Sequence, residues 1–154
     1  GNITYSYNDL RIDDNDGRGE YDGDNNRPHF FSVGGSWEIS EHWLLSARLK
    51  WASGLPDDDF IVHDDVLAPA GPVRYSKELT TRNTLRADDY YALNLRVDYR
   101  RPLGWLDFVA FLDVINVIGG VGASPPEFNP RTGLNVADED EALPLFGLIL
   151  EKNW

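Results

Sequence analysis

Apolar and polar residues alternate along six stretches of this chain. The clearest runs from Tyr90 to Arg100. Tyr91, Leu93, Leu95, Val97 and Tyr99 hold one set of positions, and Tyr90, Ala92, Asn94, Arg96, Asp98 and Arg100 hold the other. Successive side chains of a strand point to opposite faces. The pattern therefore predicts a strand with one polar face and one apolar face that carries an aromatic at each end. Its length is unusual for a soluble strand and suits a tilted strand that crosses a membrane. Trp43 to Trp51 repeats the design, with Trp43, Leu45, Ala47, Leu49 and Trp51 opposed to Leu44, Ser46, Arg48 and Lys50. Outer-membrane barrels place aromatic girdles at both interfaces, because these rings are part apolar and part polar. A half-buried strand of a soluble sheet would give a similar but shorter alternation.

Four further stretches follow the same rule. His29 to Ile39 sets Phe31, Val33, Gly35, Trp37 and Ile39 against Phe30, Ser32, Gly34, Ser36 and Glu38. Ile3 to Asp9 sets Ile3, Tyr5 and Tyr7 against Thr4, Ser6 and Asn8. Leu106 to Val117 is apolar on both faces, with Leu106, Phe108, Ala110, Leu112 and Val114 on one side. Leu143 to Trp154 puts Phe146, Leu148, Leu150 and Trp154 on one face, interrupted by Lys152, whose aliphatic stem can carry its charge to an interface.

The connections alternate in length. Ser40-Glu41-His42 is one tight turn, and Arg101-Pro102-Leu103-Gly104-Trp105 is another, built on Pro and Gly. The other three are long and read as loops without regular structure, which a soluble domain rarely tolerates. Short turns on one side and long loops on the other is the layout of an outer-membrane barrel, periplasmic turns opposite extracellular loops. The expected fold is thus all-β, an antiparallel transmembrane β-barrel segment of about six strands covering residues 1–154.

Charge sharpens this picture. The net charge is −12, which argues against a nucleic-acid partner. The three long connections hold 19 acidic and six basic residues, so the whole excess lies in them, as simple solvation of loops would also produce. Aromatics make up 12% and apolar residues 42%, too much for a disordered acidic chain. Cysteine is absent, which removes disulfides, thiolate metal sites and cysteine nucleophiles. The chain opens Gly1-Asn2-Ile3-Thr4-Tyr5 without a basic and apolar leader, so an export signal is expected to have been removed or to lie upstream.

Catalytic signatures are missing: no GxSxG, P-loop, GxGxxG or HExxH occurs, and no enzymatic activity is expected. His63-Asp64-Asp65 is the one cluster that could act as a general base at a barrel rim, though such loop pairs are usually solvated. Asp57-Asp58-Asp59 and Asp138-Glu139-Asp140-Glu141 are carboxylate runs. Asp14, Asp16, Asp22 and Asp24, interleaved with Asn and Gly, have the flavour of a calcium loop and make Ca2+ the one conceivable cofactor, but the closing Glu is lacking. On the polar strand faces, Arg48, Lys50, Asn94, Arg96, Asp98 and Arg100 are the candidates to touch a small ligand; a water-filled lumen would make the same positions polar with no such role.

Several stretches resemble the end of TonB-dependent outer-membrane receptors. Asn26-Arg27-Pro28-His29 leading into a strand is similar to that family's return from an outer loop. Ser53-Gly54-Leu55-Pro56 resembles its step from a strand into a long loop. Arg86-Ala87-Asp88-Asp89-Tyr90-Tyr91-Ala92-Leu93-Asn94-Leu95-Arg96-Val97-Asp98-Tyr99 resembles its loop-to-strand segment, and Phe111-Leu112-Asp113-Val114-Ile115-Asn116-Val117 the strand after it. Gly147 and a final Trp154 resemble the terminal strand read by the barrel-assembly machinery, although Lys152 stands where an apolar residue is more usual. The matches follow the family's order over residues 26–154. The resemblance implies a 22-stranded barrel with an amino-terminal plug, set in the outer membrane of a Gram-negative bacterium, taking up a scarce small nutrient with energy passed from the TonB complex through the plug. The nutrient could be a siderophore, a cobalamin, a saccharide or a peptide. Six strands are fewer than the eight of the smallest membrane barrels, so the expectation is a part of a longer chain or a subunit. A passive pore, a structural barrel, a soluble all-β binding domain and a hydrolase using His63 remain as alternatives.

Overall fold

A computed structural model describes residues 1–17, 19–65, 74–118, 122, 124, 126–136 and 141–152. The strands are β1 (Asn2–Tyr7), β2 (Arg11–Ile12), β3 (Tyr21–Asp22), β4 (His29–Ser40), β5 (Trp43–Ala52), β6 (Pro56–Asp65), β7 (Arg74–Arg86), β8 (Tyr90–Leu103), β9 (Leu106–Ile115), β10 (Glu127–Asn129), β11 (Leu134–Val136) and β12 (Leu143–Lys152). No helix occurs among the described residues, and all sheets are antiparallel.

The alternating stretches form one six-stranded meander in the order β1-β4-β5-β8-β9-β12. Its register aligns like with like. Residues directly opposite in neighbouring strands share a face. Tyr5, Phe31, Trp51 and Tyr91 form one such row, and Ile3, Val33, Leu49 and Leu93 the next. Gly35, Ala47, Leu95, Val114 and Pro144 form a middle row. Trp37, Leu45, Val97, Leu112 and Phe146 follow, then Trp43, Tyr99, Ala110 and Leu148. Apart from Ser40, paired with Trp43 after a register shift, every row is apolar or aromatic, and the aromatics concentrate in the outer rows. His29 stacks on Tyr5 and Trp51 near the loop end, and Trp43 packs on Tyr99 at 4.9 Å near the turn end. Trp43 and Trp51 are eight steps apart, about 27 Å along a strand and roughly 20 Å in height at the tilt of a barrel strand.

This apolar face is uncovered. Trp37 is 70% exposed and Phe146 86%. Among the described residues, Ala52, Leu55 and Ala92 are the buried apolar ones. The chain exposes 11089 Å², whereas a folded monomer of 17.4 kDa exposes roughly 7,900 Å². The sheet is open: β1 and β12 are its edges, and it does not close into a barrel.

Two expectations need correcting. The tight turns shrink to Glu41–His42 and Gly104–Trp105, with Gly104 at φ 71°, because β4 and β8 run on to Ser40 and Leu103. More important, the long connections have regular structure. Each holds a hairpin: β2 with β3, β6 with β7, and β10 with β11. The β6–β7 hairpin is as long as the strands of the main sheet. Among the described residues, the long connections are therefore not structureless. The buried residues cluster where these hairpins meet the loop end of the sheet, and most are polar or small: Asn26, Ser32, Asn83 and Asn116 beside Ala52, Leu55 and Ala92.

Candidate functional site

The polar face of the sheet carries the candidate ligand residues in successive rows. Thr4, Ser32, Lys50 and Ala92 form one row. Asn2, Gly34, Arg48 and Asn94 form the next, and Ser36, Ser46, Arg96 and Asp113 the third. The last two rows enclose an open trough of about 620 Å³. Its floor is made of small residues, Gly34, Ser36 and Ser46, where larger ones would fill the space. The Ser46 hydroxyl donates to Ser36 Oγ at 3.0 Å. Arg48 lies across Gly34, since a Cβ there would come within 3.5 Å of Arg48 Nε.

The six candidates do different things. Arg96 grips the buried Asp98 with a guanidinium fork, Nη2 to Oδ1 at 2.7 Å and Nε to Oδ1 at 3.1 Å. A two-point bond of this kind fixes both side chains. The same guanidinium sits 4.3 Å over the Phe111 ring and 3.9 Å from Asp113. Phe111 in turn covers Gly147 on the next strand, where a Cβ would meet the ring at 2.5 Å. An aromatic over a cross-strand glycine shields its backbone and pins register. Arg96 and Asp98 are thus committed to each other and to the wall. Asn94 accepts the Asn116 backbone N–H at 2.9 Å, holding the left-handed turn (φ 58°) that ends β9. Arg100 is exposed below the trough, and its backbone N–H bonds to His42. Among the described residues Arg48 and Lys50 have no ion pair.

The calcium candidates take other partners. Asp14 accepts the Tyr21 hydroxyl at 2.8 Å, which lifts that hydroxyl above its ordinary pKa. Asp22 pairs with Arg86 at 2.6 Å. Asp24 accepts from Asn83 Nδ2 at 2.8 Å and lies 3.4 Å from Arg82. The Asn83 bond, helped by Arg82, holds the Asp24 carboxyl below its ordinary value. Asp16 stays exposed in the turn between β2 and β3. No group of three or more potential metal ligands forms among the described residues. His63 Nε2 faces Glu78 on β7 at 2.9 Å. Most of the Asp138–Glu141 run and Trp154 lie outside the described residues.

A second constellation was not read from the sequence. The three long connections lock together over the loop end of the sheet. Arg86 donates to the carbonyls of Asn26 and Gly54, both at 3.0 Å, while pairing with Asp22. Asn83, in a left-handed conformation (φ 52°), donates to Asp22 O and Asp24, and its own N–H bonds to Asp58. Arg27 reaches the carbonyls of Ser53 and Gly122. Asp89 accepts from Gly54 N and Trp51 Nε1. Tyr75 N–H bonds to Pro130 O, and Lys77 lies over Phe60 and Phe128. The available signal was three basic side chains, Arg27, Arg82 and Arg86, set in or beside strongly acidic stretches.

Comparison of this chain with protein families, with curated proteins and with solved structures finds no match.

Proposed function

We propose that this chain is a wall segment of an outer-membrane β-barrel, the carboxy-terminal strands of a TonB-dependent receptor that imports a scarce small nutrient. The observation that carries the membrane part is the apolar face. It is continuous across six strands, bounded by aromatic rows, and left uncovered while almost no apolar side chain is buried. Water does not tolerate that much apolar surface on one side of a sheet, and lipid does. The unpaired edges of β1 and β12 are equally unfit for lipid, so the segment works inside a larger closed sheet.

The receptor part rests on the ordered sequence resemblance over residues 26–154. The resembling stretches also have physical work here. Ser53-Gly54-Leu55-Pro56 is the crossing into the β6–β7 hairpin, and Gly54 leaves no room for a Cβ, which would stand 1.8 Å from Ala87 O. In this reading the hairpin-bearing connections stand outside the cell, the polar face lines the lumen, and transport draws on TonB through a plug. Outer-membrane lipid, the TonB complex and the barrel-assembly machinery are the partners it requires.

Two measurements test the proposal. An antibody against residues 74–86 should find the protein in the outer-membrane fraction, with mobility that changes on heating; a soluble species would overturn the membrane reading. Nutrient uptake through it should then collapse when the proton-motive force is dissipated. Uptake that persists would make it a passive pore.

A further inference from the structure

We propose that the trough on the polar face binds a small oxyanion, a carboxylate or phosphate group on a soluble ligand, through Arg48 in its lining, with Lys50 in the row above it as the second cation. The inference deepens the transport reading and rests on it, because the polar face must line a water-filled lumen for such a ligand to reach it.

The charges of this face separate along the strands. Glu38, Asp98, Asp107, Asp113 and Glu151 all belong to the rows at or below Arg96. Asp98 is nearly fully buried under the Arg96 fork, and Asp113, which lines the trough beside Arg96, is offset by that guanidinium at 3.9 Å. The two rows above hold Arg48 and Lys50, and their cross-strand neighbours are Gly34, Asn94, Ser32 and Ala92, none of them acidic. Two like charges two residues apart on one strand face repel, and no carboxylate among the described residues relieves them. In a chain of net charge −12, that is a local excess of positive charge.

The shape agrees with the charge. Gly34, Ser36 and Ser46 keep the floor low, and Arg48 lies along it with its fork unused. Asn2 and Asn94 border the same space and can add neutral donors. A planar fork beside hydroxyl and amide groups matches a carboxylate or phosphate in two-point contact. The bond from Asn94 to the Asn116 turn and the Arg96–Asp98 fork keep the walls in place without occupying Arg48.

The test is titration calorimetry on the protein purified from the cells that make it, run with and without detergent. The probes are citrate, inorganic phosphate and the neutral sugar glucose. Citrate or phosphate should bind and glucose should not, and which anion binds more tightly decides between a carboxylate and a phosphate ligand. Arg48→Gln should weaken anion binding about tenfold and Lys50→Gln about threefold, in the range of a lost charge-assisted hydrogen bond. Arg48→Lys, which keeps the charge and loses the fork, should fall between Arg48→Gln and the wild type. Arg101→Gln, a cation outside the trough, should change nothing. Absence of anion binding, equal glucose binding, or an equal loss in Arg101→Gln would overturn the proposal. Detergent dependence is read separately: a protein that needs detergent but binds no anion sinks the site and leaves the membrane reading standing. One that binds anions in plain buffer does the reverse.

Discussion

The sheet and the cap over its loop end are built on opposite principles. The sheet alternates most regularly in β5 and β8, and its apolar face has nothing against it. The cap exposes scattered apolar side chains such as Ile61, Leu79 and Leu134, and is held by three arginines, Asn26, Asn83 and a set of carbonyls and carboxylates. Its buried residues are mainly polar; Asn26 is hydrogen-bonded on both sides of its amide, and Asn83 through its amide and its backbone N–H. Burial of such groups is tolerable only when they are paired. The difference teaches where each part expects to find its solvent. The cap satisfies itself and suits water. The sheet satisfies its backbone but leaves its apolar side chains uncovered, as the proposed place in a bilayer requires.

The sharpest way to break this comparison is to place a charge in the middle of the apolar face. Leu95→Arg should destabilise the protein in a bilayer by about 2–4 kcal/mol, as a charge at a membrane midplane does, while Thr4→Arg on the other face should cost less than about 1 kcal/mol. Urea unfolding in lipid vesicles measures both. Equal costs would mean the two faces meet the same solvent. Next comes the cap. Arg86→Ala strands two carbonyls and Asp22, and should destabilise the β6–β7 hairpin by about 2 kcal/mol, read by hydrogen exchange at residues 74–86, with the main sheet unchanged. Gly147→Ala pushes the Phe111 ring off its neighbour and loosens Arg96. A cost of about 1 kcal/mol is expected, confined to β9 and β12.

The smallest effect is electrostatic. The Asp24 carboxyl titrates below its ordinary 3.8 when folded, because Asn83 bonds to its charged form. A lowered folded value gives stability that is present above the unfolded value and disappears as pH falls through the folded one. Cap protection should therefore be flat from neutral pH down to the ordinary carboxylate range, and fall only below it. In Asn83→Ala that fall should shrink, and an unchanged profile would assign it to another group.

Much of the sheet was legible from the chain because an apolar face leaves a period-two record. The six strands appear where alternation places them, and rows such as Leu49 with Leu93 follow from it. The hairpins of the cap left no such record. Pro-Asp-Asp-Asp-Phe-Ile-Val-His-Asp-Asp in β6 and the Lys-, Arg- and Thr-rich β7 have no continuous apolar side, so pairing and not burial defines them. Of the candidate site, the polar face could be read, but its division of labour could not. That Arg96 belongs to Asp98 while Arg48 is left available depends on which rotamers Phe111 and Gly147 permit, a matter of cross-strand neighbours distant in sequence. Arg82 and Arg86 were passed over because charge in a long connection looks like solvation until its partners are seen.

The natural absence of cysteine allows one direct test of the central claim, that the apolar face meets lipid. Single cysteines would be placed in turn at positions 44 to 50 of β5, spin-labelled, and measured in bilayers for collision with oxygen and with a water-soluble nickel chelate. Labels at Leu45, Ala47 and Leu49 should favour oxygen, and labels at Leu44, Ser46, Arg48 and Lys50 should favour the chelate, alternating residue by residue. Accessibility without that alternation, or Leu45, Ala47 and Leu49 open to the chelate, would contradict the account.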